Sequence, residues 1–429
     1  MNYLKQHNIK SVVLDKKPRQ VLELPEETEL LGGDEYLTTL ENFDILVRSP
    51  GLPLSTPQIQ VAKKEGVEIS SQTKLFFDLC PCPIIGVTGT KGKGTTATLI
   101  YLILRKAKKK VFLGGNIGKA PLEFLDKLDK DSIVVLELSS FQLQDLHKSP
   151  HIAVVLPVTS DHLDYHKSSK EYVSAKSSIA RFQNRKDFVV YNAENKNSES
   201  IAVLSRGKLL PFTTKAYPKT SAYIEDDTLF LHTGKNNKKI CRLSELKLFG
   251  KHNAGNFLAA ALATKPYIQD LDAIQYVARN FSGLPHRLEV VGTFKGITYI
   301  NDSMSTMPDS TIAALDACTE PVVLIAGGSE KHADYTSLGQ AIAIKKIRGF
   351  VPMSKTGQKI IKAAGAANYM GIITKRQETM SDAIKQAKAL AKRGDIILLS
   401  PASASFDGFK NAKDRGETFR REVQQLVKK

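Results

Sequence analysis

The sequence predicts an α/β protein of three domains, and three observations carry that prediction. Short Val- and Ile-rich runs alternate with stretches of helical length along the whole chain, the signature of strand–helix–strand units. The central runs are apolar throughout instead of alternating, as strands covered on both faces require. The 429 residues make about three domains by length, each large enough to bury its own core.

Residues 1–80 read as a small α/β domain, with strand runs at 12–15, 45–49 and 67–70, a helix at 58–64 and a turn-rich exit at 79–83. A nucleotide-type α/β domain ordinarily opens with a strand and a glycine turn. This chain opens on what reads as the following helix, 1–8, so the first strand is expected to be missing. Residues 81–283 carry the buried, parallel-type runs 84–88, 111–113, 133–138 and 152–158, with helices between them, 95–107 included. Shorter runs follow at 188–191, 223–233 and 239–243, then a helix over 252–264. Residues 284–429 repeat the alternation, with strands at 297–300, 322–326, 347–351, 371–373 and 396–399 and a helix at 381–392.

Composition narrows the function classes. The four cysteines read as reduced thiols of a cytosolic protein, because the Cys80-x-Cys82 pair has no second pair or histidine cluster at metal-ligand spacing. Residues 1–10 lack a signal-peptide core, and no run approaches the roughly 20 apolar residues of a membrane span. A cytoplasmic protein without a membrane partner is expected. The formal charge of +17 suits anionic ligands. Nucleic acid is not expected: lysines are spread along the chain, clusters such as Lys108-Lys109-Lys110 are short, and there is no Trp for base stacking.

The sharpest local signal is Ile84-Ile85-Gly86-Val87-Thr88-Gly89-Thr90-Lys91-Gly92-Lys93-Gly94-Thr95-Thr96. An apolar strand enters a glycine-rich turn, and the turn enters a helix. Glycines let successive N–H groups face one anion, Lys93 supplies a point charge for β/γ-phosphates, Thr95 can reach Mg²⁺, and the helix offers its positive end. The fit to G-x-x-x-x-G-K-[ST] is imperfect: Val87 stands where the first glycine belongs, and Gly94 separates Lys93 from the first hydroxyl. The turn is expected to be lengthened by Gly94, with Thr95 in the metal-facing role.

Other candidates stand at strand carboxyl ends, where open α/β sheets collect ligands. Glu137 could complete a Mg²⁺ site with Thr95. Residues 159–166 gather Asp161, His162, Asp164 and His166, a set that can hold a second cation or position a nucleophile. Lys176, on a helical stretch, reads by itself as a solvated side chain. His286 and Arg287 lie at a domain junction, with Asn301-Asp302-Ser303 after the next strand, and the fork of an arginine suits anionic oxygens. Gly327-Gly328-Ser329-Glu330-Lys331 and residues 400–406 offer a lysine, hydroxyls and N–H groups to a carboxylate.

Taken together, Gly89-Thr90-Lys91-Gly92-Lys93, Gly114-Gly115-Asn116-Ile117-Gly118, Glu137-Leu138-Ser139-Ser140-Phe141-Gln142-Leu143, Asp161-His162-Leu163-Asp164, Gly250-Lys251-His252-Asn253-Ala254-Gly255-Asn256, Gly283-Leu284-Pro285-His286-Arg287-Leu288-Glu289, Asn301-Asp302-Ser303 and Ser405-Phe406-Asp407-Gly408-Phe409-Lys410-Asn411 resemble, over nearly the whole chain, the ordered motifs of the Mur ligase family. The resemblance implies a Rossmann-like N-terminal domain shortened at its start (1–80), a P-loop ATPase-like central domain (81–283) and a Rossmann-like C-terminal domain (284–429). It also implies ATP-dependent amide synthesis in peptidoglycan assembly. ATP phosphorylates the alanyl carboxylate of UDP-N-acetylmuramoyl-L-alanine, and the amine of D-glutamate attacks the acyl phosphate. Such chemistry gathers several anions, whose repulsion Mg²⁺ and lysines offset.

By the same resemblance, Gly89, Thr90, Lys91, Gly92, Lys93, Gly94, Thr95 and Thr96 hold ATP phosphate. Thr95 and Glu137 hold one Mg²⁺, and His162 holds a second, supported by a carbamylated Lys176. Asn253, Asn256, His286, Arg287 and Asp302 serve ATP. Asp15, Ser49 and Asn116 face the UDP-sugar, and Thr306, Lys331, Ser405 and Phe406 hold the incoming glutamate. Lys93, His162, Lys176 and Lys331 carry the catalysis of a monomeric enzyme. The chain departs from the family pattern at Met304, where a lysine is usual, at Met307, where asparagine is, and at Ala412, where a second aromatic is common. These departures leave the added amino acid open between D-glutamate and another such as L-glutamate. A folylpolyglutamate synthetase-like ligase, which shares a glycine after the P-loop lysine, and a nucleic-acid-stimulated P-loop ATPase are the competing readings.

Overall fold

The computed structural model describes every residue except 1, 18, 23, 25–26, 160–167, 217–219, 233–235, 251, 331–332 and 429. The chain forms two compact units, Met1–Glu245 with Gly255–Arg279, and Leu246–Ala254 with Asn280–Lys429.

The first unit begins with two small parallel pairs, β1 (Val12–Asp15) with β2 (Glu29–Gly32) and β3 (Ile45–Arg48) with β4 (Glu68–Ser71). Leu40, Leu46, Ile59, Ala62 and Val67 pack into a small core with them. A buried ion pair ties β3 to the larger sheet region: Arg48 Nη2 lies 3.2 Å from Asp145 Oδ2. Arg48 Nη1 also donates to the carbonyl oxygens of Ser49 and Leu52, so one side chain shapes the loop that follows β3.

Nine strands then form one sheet: β5 (Ile84–Thr88), β6 (Val111–Gly115), β7 (Ile133–Glu137), β8 (Ile152–Val155), β9 (Phe188–Asn192), β10 (Lys208–Phe212), β11 (Ala222–Glu225), β12 (Thr228–His232) and β13 (Asn237–Arg242). Their order is β13-β12-β11-β10-β9-β8-β5-β7-β6. Neighbours from β6 to β11 run parallel, and β12 is antiparallel to both β11 and β13. Every residue of β5, β7 and β8 is buried, which is why their sequences show no alternation. The helix Lys93–Lys106 buries Thr96, Ala97, Leu99, Ile100, Ile103 and Leu104, the spacing of a single helical stripe. One expectation is corrected here. The run 223–233 is not a single strand, because Asp226 and Asp227 both take positive φ (44° and 54°) and fold it into the β11–β12 hairpin.

In the second unit β14 (Glu289–Phe294), β15 (Ile297–Asn301), β16 (Val322–Ala326), β17 (Ile347–Pro352), β18 (Ile372–Ile373) and β19 (Ile396–Leu399) are ordered β14-β15-β19-β16-β17-β18, parallel except at β14. Val322, Leu324 and Ala326 of β16 enter one core, while Val323 and Ile325 enter another. Ile396 and Leu398 of β19 part from Ile397 and Leu399 in the same way, so both faces of this sheet are covered. No helix among the described residues is long and apolar enough to cross a membrane.

Candidate functional site

The phosphate turn is built by its glycines. Gly92 caps the helix at φ +84°, a conformation that side chains disfavour. A β-carbon there would also stand 2.3 Å from Asn256 Oδ1, so Asn256 packs directly on the turn. Lys93 is already the first helical residue, and Thr96 N–H closes onto Gly92 O at 2.9 Å. This corrects the expectation for Gly94: it does not lengthen the turn but sits inside the helix, where the usual pattern places a hydroxyl. Thr95 follows at a half-buried position, about 100° further round the helix. Thr96 Oγ1 is buried without a hydrogen-bond partner among the described residues. No acidic residue stands in the first turn to oppose an anion at the helix's positive end.

Two lysines converge on this turn. Lys93 Nζ donates to Gly89 O at 3.1 Å and to Thr90 O at 2.9 Å. Lys176, on the helix Ser169–Arg181, donates to the same Gly89 O at 3.2 Å and to Thr88 Oγ1 at 3.4 Å, and lies 4.5 Å above the Tyr172 ring. Its side chain is only 1% exposed, which overturns the reading of Lys176 as a solvated helix lysine. Lys93 places a positive charge where a polyphosphate would sit, and Lys176 reaches the same turn from beneath it.

Glu137 ends β7 opposite Val87 of β5 and opposite Gly115 of β6. A β-carbon on Gly115, at φ +97°, would lie 2.3 Å from Glu137 O. That close approach lets Asn116 N–H reach Glu137 O at 3.0 Å and Asn116 Nδ2 reach Glu137 Oε1 at 3.4 Å. Glu137 Oε2 is buried and has no partner among the described residues. A buried carboxylate oxygen calls for a donor or a cation. With a hydroxyl from the neighbouring P-loop helix, it fits Mg²⁺, which takes few protein ligands and fills its shell with phosphate and water oxygens. Immediately afterwards Ser139 and Gln142 form a reciprocal capping box, with Ser139 N–H donating to Gln142 Oε1 at 2.9 Å and Gln142 N–H to Ser139 Oγ at 3.3 Å. The box starts a short helix and turns the chain away directly after Glu137.

His162, with its neighbours Asp161, Asp164 and His166, lies outside the described residues, as does Lys331. The segment entering that region is tied to the turn, because Thr159 N–H donates to Thr90 Oγ1 at 2.9 Å and Thr90 Oγ1 donates to Thr159 O at 3.0 Å. Asp15 stands at the carboxyl end of β1, accepting from Lys17 N–H at 2.8 Å, and Ser49 is exposed just beyond β3.

In the second unit, Asn253 Nδ2 donates to Phe249 O at 2.6 Å, and Arg287 is exposed. His286 is not at the surface: it is buried at φ +61°, 3.0 Å from Asn301 Nδ2 through Nδ1 and 3.2 Å from Glu417 Oε1 through Nε2. Asp302 is also interior. Oδ1 accepts from Leu288 N–H at 3.2 Å, and Oδ2 accepts from Ser305 Oγ at 2.5 Å and Ser400 Oγ at 2.8 Å. These two side chains fasten the 284–288 segment to β15 and β19. Thr306 is half-buried, Ser405 is buried, and Phe406 is 74% exposed with its N–H on Ser329 Oγ at 3.0 Å.

Burial pushes the Asp302 carboxyl up to about 6, with the bonds from Ser305, Ser400 and Leu288 and the charge of Arg287 pulling the other way. The folded state therefore holds this proton more tightly than the unfolded chain. The resulting stability is complete below the unfolded value and is lost as pH rises through about 6. Relative to Asp302→Asn, the wild type should lose up to about 3 kcal/mol between about pH 4 and pH 7. Urea unfolding of both proteins, followed by amide exchange in β15 and β19, measures the difference.

The sequence reading missed Arg415. Its guanidinium, 1% exposed, donates from Nε to Ser303 Oγ at 3.0 Å, from Nη2 to Ser303 O at 2.8 Å, and from Nη1 to Ser403 O and Ala404 O at 3.1 and 3.0 Å. Burial pulls its pKa down to about 10, against the charge of Asp407. Arg415 thereby links the turn after β15 to the loop after β19, the two segments carrying Thr306 and Ser405. Nothing in the pattern of a polar C-terminal helix marks an arginine as buried.

A strand, a left-handed glycine, a helix-starting lysine and an adjacent strand-end carboxylate define a P-loop nucleotide-binding protein. Family models match three stretches: the Mur ligase MurD-like N-terminal domain over residues 1–71, the Mur ligase middle domain over 87–264, and the Mur ligase glutamate ligase domain over 286–403. A UDP-N-acetylmuramoylalanine–D-glutamate ligase of Acetivibrio thermocellus is 41% identical over 92% of this chain and 85% of its own length. The enzyme of the same name from Symbiobacterium thermophilum is 40% identical over 92% and 87%. Among solved structures, MurF from Acinetobacter baumannii superposes with a TM-score of 0.61 at 16% identity, covering 100% of this chain and 88% of that one. The chain belongs to the Mur ligase family, whose members use ATP and Mg²⁺, and it has the family's three-domain α/β fold.

Proposed function

We propose that this chain uses ATP to join D-glutamate to the alanyl carboxylate of UDP-N-acetylmuramoyl-L-alanine, the reaction for which its relatives are named. The observation that carries the proposal is that Lys93 and Lys176 both reach Gly89 beside the strand that presents Glu137 Oε2, unpartnered among the described residues. In this reading the N–H groups of residues 89–96 and the ammonium of Lys93 hold the phosphates and stabilise the charge that develops as the γ-phosphoryl moves to the carboxylate. Mg²⁺ held by Thr95 and Glu137 supplies further neutralisation of phosphate charge. A carbamylated Lys176, converted from cation to anion, supports a second Mg²⁺ site with His162.

Asn253, Asn256, His286, Arg287 and Asp302 are assigned to ATP, with His286 and Asp302 acting by shaping the segment that carries Arg287. Asp15, Ser49 and Asn116 are assigned to the UDP-sugar, and Thr306, Lys331, Ser405 and Phe406 to glutamate. The enzyme is taken to act as a cytoplasmic monomer on small molecules, without nucleic acid or membrane, with domain limits at 80/81 and 283/284.

The test is phosphate release with ATP, Mg²⁺ and UDP-N-acetylmuramoyl-L-alanine, offering D-glutamate, L-glutamate and other amino acids in turn. D-Glutamate should give the highest kcat/KM. Preference for another amino acid would trace to Met304 and Met307, and absence of turnover with all of them would overturn the ligase reading. ATPase activity stimulated by DNA or RNA instead would establish the competing one. Glu137→Gln keeps the shape of the side chain while removing its charge, and should lower kcat by about 10²-fold. Phosphate release across a Mg²⁺ series measures it, and unchanged activity would remove Glu137 from the metal set.

A further inference from the structure

Cys80 and Cys82 have no part in the proposed reaction, yet the fold holds them together. Cys80 caps the helix Gln72–Leu79, its N–H bonded to Phe76 O at 2.9 Å, and Cys82 leads into β5. Pro81 and Pro83 alternate with them and restrict the backbone on both sides. The two sulfur atoms stand 3.7 Å apart, and Cys80 Sγ also lies 3.5 Å from Cys82 O. Both side chains are half-buried, so small reagents can reach them. Bonding requires the sulfurs to approach from 3.7 Å to about 2.05 Å.

We propose that Cys80 and Cys82 are a reversible dithiol–disulfide site, whose exchange partner is a low-molecular-weight disulfide. The Cys80 thiolate attacks one sulfur of that disulfide and expels its first half as a thiolate, which takes up a proton. Cys82 then loses its proton to solvent and attacks the Cys80 sulfur, expelling the second half as a thiol. One protein disulfide forms and one small disulfide is reduced to two thiols. The order of attack follows from the local chemistry. The hydrogen bond from Cys82 lowers the pKa of Cys80, the same pairing raises that of Cys82, and burial raises Cys241 to about 11 and Cys318 to about 12. The attacking thiol is the one with the larger thiolate fraction. A ring closed across a single proline is strained, and strained disulfides are the readily reduced ones.

The experiment exposes the full-length protein to oxidised glutathione, quenches with a thiol-alkylating agent and analyses the tryptic peptide 75–91 by mass spectrometry. That peptide should lose the mass of two hydrogens, about 2 Da, retain no glutathione, and regain two alkylatable thiols on return to excess reduced glutathione. Cys82→Ser should trap one glutathione on Cys80, and Cys80→Ser should react at least about tenfold more slowly than wild type. Two stable glutathione adducts on the wild-type peptide, or no oxidation under excess disulfide, would overturn the proposal. The wild-type measurement does not depend on either variant folding or on ligase activity.

Discussion

Alanine at Lys93 should lower kcat for ligation by about 10²- to 10³-fold, or about 3 to 4 kcal/mol of transition-state stabilisation, while leaving the fold intact. The fold does not rest on this side chain. Gly92 sets the turn through its own φ and its contact with Asn256, Thr90 bonds Thr159, and Leu156 N–H bonds Thr88 O at 2.9 Å. What Lys93 contributes is charge aimed at the turn's interior, where it presently meets Gly89 O and Thr90 O. Because Gly94 supplies no hydroxyl beside it, the lysine bears a larger share of phosphate neutralisation here than in a P-loop whose next residue is Ser or Thr. Steady-state phosphate release, together with a thermal melt to show an unchanged fold, measures the effect. A Lys93→Ala enzyme within about threefold of wild type would remove the turn from the chemistry.

The parts of this site that were legible in the sequence are those in which one short segment carries the whole physical cause. β5, the glycine turn and Lys93 are contiguous, and a fully apolar run followed by glycines and lysine has few other structural uses. The role of Gly94 was misread for the same reason. Sequence shows an extra residue before the first hydroxyl, but only the left-handed φ at Gly92 reveals that the helix has already begun. Lys176 could be found only through family resemblance, since its burial against Tyr172 and Gly89 depends on how β5 and a helix far along the chain pack together. Other features were hidden by unusual local chemistry. β10 contains Pro211 and exposes Lys208 and Leu209, while β14 is a partly exposed antiparallel edge. The positive φ of both Lys295 and Gly296 marks the turn that joins β14 to β15, and the Lys-Gly pair was the available sequence signal for it.

Removing the Arg415 guanidinium should be the most damaging single change to the second unit. The side chain satisfies carbonyl oxygens of Ser303, Ser403 and Ala404 that are buried with it, so Arg415→Met strands Ser303 O and Ser403 O at once, while Ala404 O keeps the Ser329 N–H at 3.0 Å. Stranded buried acceptors and broken buried networks cost about 3 to 5 kcal/mol, and at about 2 to 4 °C per kcal/mol for a unit of this size the Tm should fall by about 10 °C. Arg415→Lys separates charge from geometry. A lysine keeps the positive charge but lacks the planar fork that reaches both loops, so it should recover less than half of the lost stability. In the surviving folded enzyme the turn after β15 and the loop after β19 lose the guanidinium that bridges them and keep only the Ala402–Ser305 and Ser400–Asp302 bonds, which loosens the relative placement of Thr306 and Ser405. KM for the amino acid should therefore rise by about tenfold or more while KM for ATP changes little. If both variants melted with the wild type and bound the amino acid equally well, Arg415 would be a buried passenger, and the two loops would owe their arrangement to Ala402 N–H on Ser305 O at 2.9 Å and Ser400 Oγ on Asp302 Oδ2 at 2.8 Å.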